Sequence, residues 1–350
     1  MGLIMRVTLI GVVLAGIAGL FLYAGGWFTP HALSPALMIN TLEQTGGLHP
    51  GFRRNHAKGV CISGYFESNG RGVALSKATV FLPGRVPVIG RFALAGGQPY
   101  AADAPQTVRS LAILFKLPDG EEWRTGMNNI PVFPVNSAQG FYELLQASAP
   151  DHATGKPDPV KMNAFLTRHP ESAKAMQLIH SQPVSSGFAD SAYNSLNAFH
   201  FINAQGAVVP VRWSMVPAQP FEPFDMAAAR RSDTNQLFDA LIAGIHGRPL
   251  QWHLVITVGE PADPTDDATI PWPASRQQVD VGTLTIERVE SEDTSPARDI
   301  NFDPLMLPDG IASSDDPLLS ARSAAYAQSF TRRESEPKAP SAVSTAETGK

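Results

Sequence analysis

A chain of 350 residues, 43% hydrophobic and 17% charged, carries enough apolar side chains to bury a large core, as one big domain or two smaller ones. Its net charge of -5 and pI near 6.0, with no run of Lys and Arg, exclude a phosphate-tracking surface, so nucleic acid is not an expected partner. The single cysteine, Cys61, excludes a disulfide framework and any cysteine-based zinc or iron–sulfur centre within the chain.

From the N-terminus, Val7 to Gly26 is an uncharged apolar run preceded by Arg6. As a helix it is long enough to cross a hydrocarbon core of about 30 Å. Tyr23, Trp27 and Phe28 fall where an interfacial aromatic belt belongs, and no Ala-x-Ala cleavage site follows. The expectation is an uncleaved single-pass anchor over 7–26, with Arg6 cytoplasmic and the remainder facing outward. In a bacterium that means the inner membrane and the periplasm; a soluble periplasmic protein released by signal cleavage is the alternative. Residues 27–45 read as a tether with a short helix, and 46–333 as the folded body. The stretch 334–350, rich in Ser, Pro, Ala and Thr, reads as a disordered tail.

Strand-like segments follow in the body: Val60–Glu67, Ala78–Leu82, Arg91–Leu94, Ser110–Leu117, Ala198–Asn203, Ala207–Met215, Trp252–Val258 and Val279–Val289. Pro118-Asp119-Gly120 joins Leu117 to Glu121–Trp123, and Asn203-Ala204-Gln205-Gly206 joins two further strands, both as hairpin turns. Helical periodicity runs from Val160 to Ile179 with a break near Pro170, and from Thr234 to Ile245 with Ser232 or Asp233 as cap. Hairpins dominate and no strand–helix–strand alternation appears. The predicted class is α+β, an antiparallel barrel decorated with helices.

Three groups of residues stand apart. Arg53 precedes His56 by three positions, just before the first strand. Trp123-Arg124-Thr125-Gly126-Met127-Asn128 lies about seventy residues on. The C-terminal helix, capped by Asp316 with Pro317 in its first turn, places Arg322, Tyr326, Ser329 and Arg333 at i, i+4, i+7 and i+11, on one face. Each alone has a bland reading, a structural histidine or a solvated stripe. The combination does not.

In that order the groups resemble the haem catalase superfamily, over roughly residues 46–333, with an antiparallel barrel and surrounding helices as the implied fold. The resemblance implies His56 as distal acid–base residue and Asn128 as distal asparagine, with Phe141 stacked over the haem. Arg53, Arg91 (in Arg91-Phe92) and Arg333 would meet the propionates. Tyr326 would be the axial ligand of the haem iron, with Arg322 one turn below to favour its phenolate, a hard anionic ligand for ferric iron. The implied cofactor is haem b, and the implied partners are a peroxide and an unidentified electron donor.

Departures from the family pattern carry their own expectations. Ala93 stands where catalases place a hydroxyl residue against the distal histidine, so His56 is expected to be held less firmly. Asn55 replaces an apolar channel residue, which implies a more polar approach. The sequence after Tyr326 lacks the usual proline and aspartate, and the arm, wrapping segment and C-terminal domain of full-size catalases have no counterpart. These traits resemble the short, membrane-tethered catalase-related peroxidases. The function expected is reduction of organic peroxides or hydrogen peroxide with an external donor. A true catalase and a tethered haem-binding protein without turnover are the alternatives; monomer and dimer both stay open. Cys61 and the strand histidines His200 and His253 are expected to be structural.

Overall fold

The computed structural model describes residues 2–24, 33–151, 154–225 and 234–345. β1 (Gly59–Ser68), β2 (Gly84–Leu94), β3 (Arg109–Lys116) and β4 (Glu122–Asn128) pair antiparallel in succession. β5 (Tyr193–Asn194), β7 (Val208–Pro217), β8 (Leu250–Val258) and β9 (Gln278–Glu290) complete the ring, and β9 returns to β1. Eight strands therefore close into an antiparallel barrel, the predicted fold class, with β6 (Phe199–Ile202) and β10 (Ile311–Ser313) extending the sheet beyond β7. Turn chemistry fixes the register. In the β3–β4 hairpin Gly120 takes φ 88 and its N–H reaches the Leu117 carbonyl, while Asp119 Oδ1 accepts from Glu121 N.

Alternation along the strands fills the barrel with aromatics. Phe115 stacks on Trp123 at 4.8 Å between centroids, Trp123 meets Trp213 edge-on at 5.1 Å, and Phe81 and Phe201 close the same cluster. Each such side chain stabilises the fold by roughly 1.5–3 kcal/mol relative to exposure.

Several elements differ from the sequence expectation. Ala78–Leu82 is not a strand: Thr79–Phe81 is a 3-10 turn that drives Phe81 into the barrel. A closed ring leaves no free neighbour for another strand at that point. α3 (Ala138–Ser148), absent from the sequence reading, is capped by Ser137 accepting from Gly140 N. α4 (Pro159–Arg168) and α5 (Pro170–His180) break at Pro170 as expected. The expected caps Ser232 and Asp233 lie outside the described residues. α6 (Gln236–Gly247) instead receives Asp103, a distant carboxylate that accepts from Leu237 N at 2.9 Å and pairs with buried Lys58 at 2.7 Å.

At the N-terminus α1 (Leu3–Ala24) is helical, and its described side chains, Val7 to Phe21, are nearly all exposed. Among the described residues no helix is long and apolar enough to cross a membrane. Trp27 and Phe28, and the side chain of Tyr23, lie outside the described residues. α2 (Pro35–Gly46), capped by Ser34, packs on α7 (Pro317–Glu334). An ion-pair strap secures this contact: Glu43 bridges Arg54 at 2.7 Å and Arg332 at 3.0 Å.

The segment after Glu334 does not hang free up to residue 345. Glu336 pairs with Arg54 and accepts from Gly51 N at 2.8 Å, Arg298 donates to the Ala339 carbonyl, and Val343 is fully buried. Composition pointed to a disordered tail; the Glu336 carboxylate, the Arg298 bond to Ala339 and the buried Val343 hold it up to residue 345.

Candidate active site

The register of β2, β3 and β4 builds one wall of a cavity. Arg91 opposes Ala112, which opposes Gly126; Ala93 opposes Ser110, which opposes Asn128. Strand alternation puts these six on one face, while Phe92 and Leu111 face the barrel core. Across that wall lie α7, α2 and the start of α3. The cavity between them holds about 200 Å³ open to the centre of a water molecule. All eight candidate residues, Arg53, His56, Arg91, Asn128, Phe141, Arg322, Tyr326 and Arg333, line it.

His56 occupies a backbone conformation that few residues adopt, with φ 55. Two neighbours hold it there. Asn55 Oδ1 accepts from His56 N at 2.9 Å and from Gly96 N at 2.8 Å. Arg91 donates to the carbonyls of His56 at 2.6 Å and Ala57 at 2.9 Å. Asn55 lines the cavity, yet its amide oxygen is committed to the backbone, so the expected opening of the channel gives way to a bracing role. The imidazole is also held: Ser110 Oγ lies 3.0 Å from His56 Nδ1 and donates to Asn128 Oδ1. The expectation that Ala93 leaves His56 loose is corrected by this serine, directly across the β2–β3 pair.

Burial, then the positive fields of Arg91, Arg322 and Arg53, push the His56 imidazole down to about 3, against an opposing bond at the Leu94 backbone. It is therefore neutral, a proton acceptor, throughout the physiological range. The unfolded histidine titrates near 6.5, so the unfolded chain takes the proton first as pH falls. The stability tied to neutral His56 is present above 6.5 and drains away between 6.5 and 3. The expected result for activity is a His56-dependent peroxide step that stays level from about pH 5 to 8. An acid limb with a midpoint near 6 in stopped-flow rates would contradict that assignment.

Behind the His56 backbone, which Arg91 bonds, three guanidinium groups converge. Burial, with Arg333 and Arg91 nearby, lowers Arg53 well below its ordinary value; burial and Arg91 lower Arg333. Arg53 donates to the carbonyl of Ile300 at 2.9 Å, and Arg333, 5% exposed, keeps its Nε without a partner. Gly59 permits the packing here, since a Cβ on it would come within 2.5 Å of the Arg91 guanidinium carbon. Glu292, which sequence reasoning missed, supplies one counter-charge. It is buried, 2.6 Å from Arg91 Nε and 3.7 Å from Arg53. Three cations and one anion leave a surplus of two positive charges. Glu292→Gln strands the guanidinium groups and should destabilise the protein by about 3–5 kcal/mol, read from urea unfolding. An unchanged midpoint and slope would show that the pair carries no weight.

On α7, Arg322 donates to Asn197 Oδ1, and Asn197 Nδ2 donates to Asp316 Oδ2 at 2.7 Å, linking the arginine to the helix cap. A Cβ on Gly126 would stand 3.6 Å from Tyr326 Oη and 3.9 Å from an Arg322 terminal nitrogen. The phenol thus points at a stretch of wall made of Gly126 and Ala112, with no side chain large enough to cover it. Phe141 on α3 packs against Phe133 at 5.8 Å between centroids at the edge of the same cavity.

These residues fit the expected haem. The surplus of two positive charges matches two propionates, the unpartnered Arg333 Nε is a donor in want of an acceptor, and the small-residue wall leaves Tyr326 Oη uncovered. Cys61, by contrast, is fully buried with its thiol pushed up to about 11, foremost by burial, which removes it as a nucleophile. Ser110 and Glu292 escaped the sequence reading for different reasons. Ser110 needs the strand register, and Glu292 lies in the acidic run Glu290-Ser291-Glu292-Asp293, which reads as solvated.

Comparison with known proteins agrees with the geometry. The family model described as Catalase matches residues 36–337. A catalase-related peroxidase of Synechococcus elongatus is 38% identical over 306 residues, covering 87% of this chain and 90% of that protein. Another from Mycolicibacterium paratuberculosis is 32% identical over 302 residues, covering 86% and 95%. A solved bacterial catalase superposes with a TM-score of 0.72 at 23% identity, over 87% of this chain but 62% of that one. With the barrel, the cavity and these matches in hand, the chain belongs to the catalase family.

Proposed function

We propose that the protein is a haem peroxidase that reduces hydrogen peroxide or a small organic hydroperoxide with electrons from an external donor. The observation that carries this is the meeting of His56, Asn128 and Tyr326 around one cavity with a doubly cationic rim. Haem b held there would supply the redox chemistry of O–O cleavage. Tyr326 would hold its iron, Arg53, Arg91 and Arg333 its propionates, and Phe141 would pack over it on the distal side.

The chain's own residues manage the proton and the pose. His56, neutral and buried, takes a proton from the near oxygen of the peroxide and returns it to the far one, so that water or an alcohol leaves rather than an anion. Asn128 fixes the peroxide by a hydrogen bond. The peroxide gains two electrons and two protons in all, and the donor loses the same. Preference for a donor over a second peroxide is supported by the peroxidases at 38% and 32% identity, against 27% for the catalase of Pseudomonas aeruginosa. The firm hold on His56 by Ser110 suits either cycle and does not bear on that preference.

The deciding assay sets oxidation of a phenolic dye beside oxygen release, with hemin-loaded protein and hydrogen peroxide. Dye oxidation should dominate. Abundant oxygen with little dye oxidation would identify a true catalase, and hemin uptake with neither activity would identify a binding protein.

The same reading takes α1 as an apolar membrane anchor, with the barrel on the side away from Arg6, although among the described residues it is not long and apolar enough to cross a membrane. The support is the exposed apolar surface of Val7, Leu9, Ile10, Val12, Val13, Leu14, Ile17, Leu20 and Phe21. Fractionation of the full chain tests it: the protein should pellet with inner membranes, and recovery of uncleaved protein in the soluble fraction would refute it.

A further inference from the structure

Deepening the reading above, on which it rests, we propose that Ser110 is a positioning residue that sets the tautomer of His56 and the orientation of Asn128 through a single hydroxyl proton. Ser110 Oγ donates to Asn128 Oδ1 and lies 3.0 Å from His56 Nδ1. An amide oxygen only accepts, so the one proton of the hydroxyl is spent on Asn128. What Ser110 has left for the imidazole is a lone pair. Nδ1 is then the nitrogen that carries the ring proton, and Nε2 is the free base. The same bond turns the Asn128 Nδ2 donors away from Ser110. One side chain thereby presents a base and a donor together.

The strand register explains why this residue has the role. Ser110 is the directly opposed partner of Ala93 on one side and of Asn128 on the other. Opposed residues of an antiparallel pair project to the same face with Cβ atoms about 5 Å apart. A hydroxyl missing at 93 is therefore supplied from the next strand, and the move brings it within reach of Asn128 as well. Ser110 is 7% exposed, so water competes little for its single proton.

The test uses the full chain loaded with gallium(III) protoporphyrin IX, a diamagnetic stand-in for hemin, with 15N-labelled histidine. The wild type should show His56 protonated at Nδ1. Ser110→Ala should shift the proton to Nε2, and Ser110→Thr should keep it at Nδ1. In hemin-loaded protein, peroxide consumption should fall by about ten- to a hundredfold in Ser110→Ala and recover in Ser110→Thr. Hemin affinity should stay within about twofold, because the Ser110 hydroxyl bonds Asn128 and faces His56, not Tyr326 or the propionate arginines. A Ser110→Ala protein that remains protonated at Nδ1 overturns the inference even if its rate falls, since the bond to the Leu94 backbone then fixes the ring by itself. If the wild type takes up no porphyrin, the haem reading and this inference fall together; if it does and the tautomer ignores Ser110, this inference falls alone.

Discussion

His56→Ala lowers the rate of peroxide cleavage by about a hundredfold or more, the scale on which a positioned acid–base group acts. The loss is chemical rather than structural. Arg91 holds the backbone carbonyls at 56 and 57, Asn55 Oδ1 keeps its bond to Gly96 N, and Ser110 keeps its bond to Asn128. Hemin binding should therefore survive, because Tyr326 and the three arginines are untouched. Stopped-flow mixing of hemin-loaded protein with hydrogen peroxide measures the step directly. An unaltered rate with intact hemin content would remove His56 from the mechanism.

Tyr326→Phe removes one oxygen and should remove the haem. Loss of a partner in the outer shell of a metal centre costs roughly 10–100-fold in affinity, and loss of the ligand itself should exceed that. The fold has little stake in this oxygen. Tyr326 is on the cavity side of α7, and the helix is secured elsewhere, by buried Leu318 and Leu319 and by the Arg332–Glu43 pair. Gel filtration after hemin loading should separate the variant as colourless protein with wild-type elution. Haem retained at one equivalent would place the ligand at another residue.

The site was more legible in the sequence than the details that make it work. Arg53, His56 and Asn128 could be read because the resemblance to the catalase superfamily carries them, and a helix of known period puts Arg322, Tyr326 and Arg333 on one face. The barrel could be read from alternating apolar segments and two turns. What could not be read depends on register between distant strands or on long-range burial. Ser110 compensates for Ala93 only because β2 and β3 align those two positions. Glu292 faces Arg91 across 201 residues of sequence and looks like one more surface acid until the loop folds inward. Asn55 pointed to a polar channel by residue type, whereas the positive φ of His56 turned its amide to the backbone. Ala78–Leu82 has strand-like residues but no strand to pair with. At the C-terminus, low apolar content hid the burial of Val343.

Titration of the purified wild-type chain with hemin, followed by absorption, tests the central claim most directly. The account predicts saturation at one equivalent, with phenolate-to-iron charge-transfer bands that appear in the wild type and in His56→Ala but not in Tyr326→Phe. Absence of saturable binding, or the same bands in Tyr326→Phe, would contradict it.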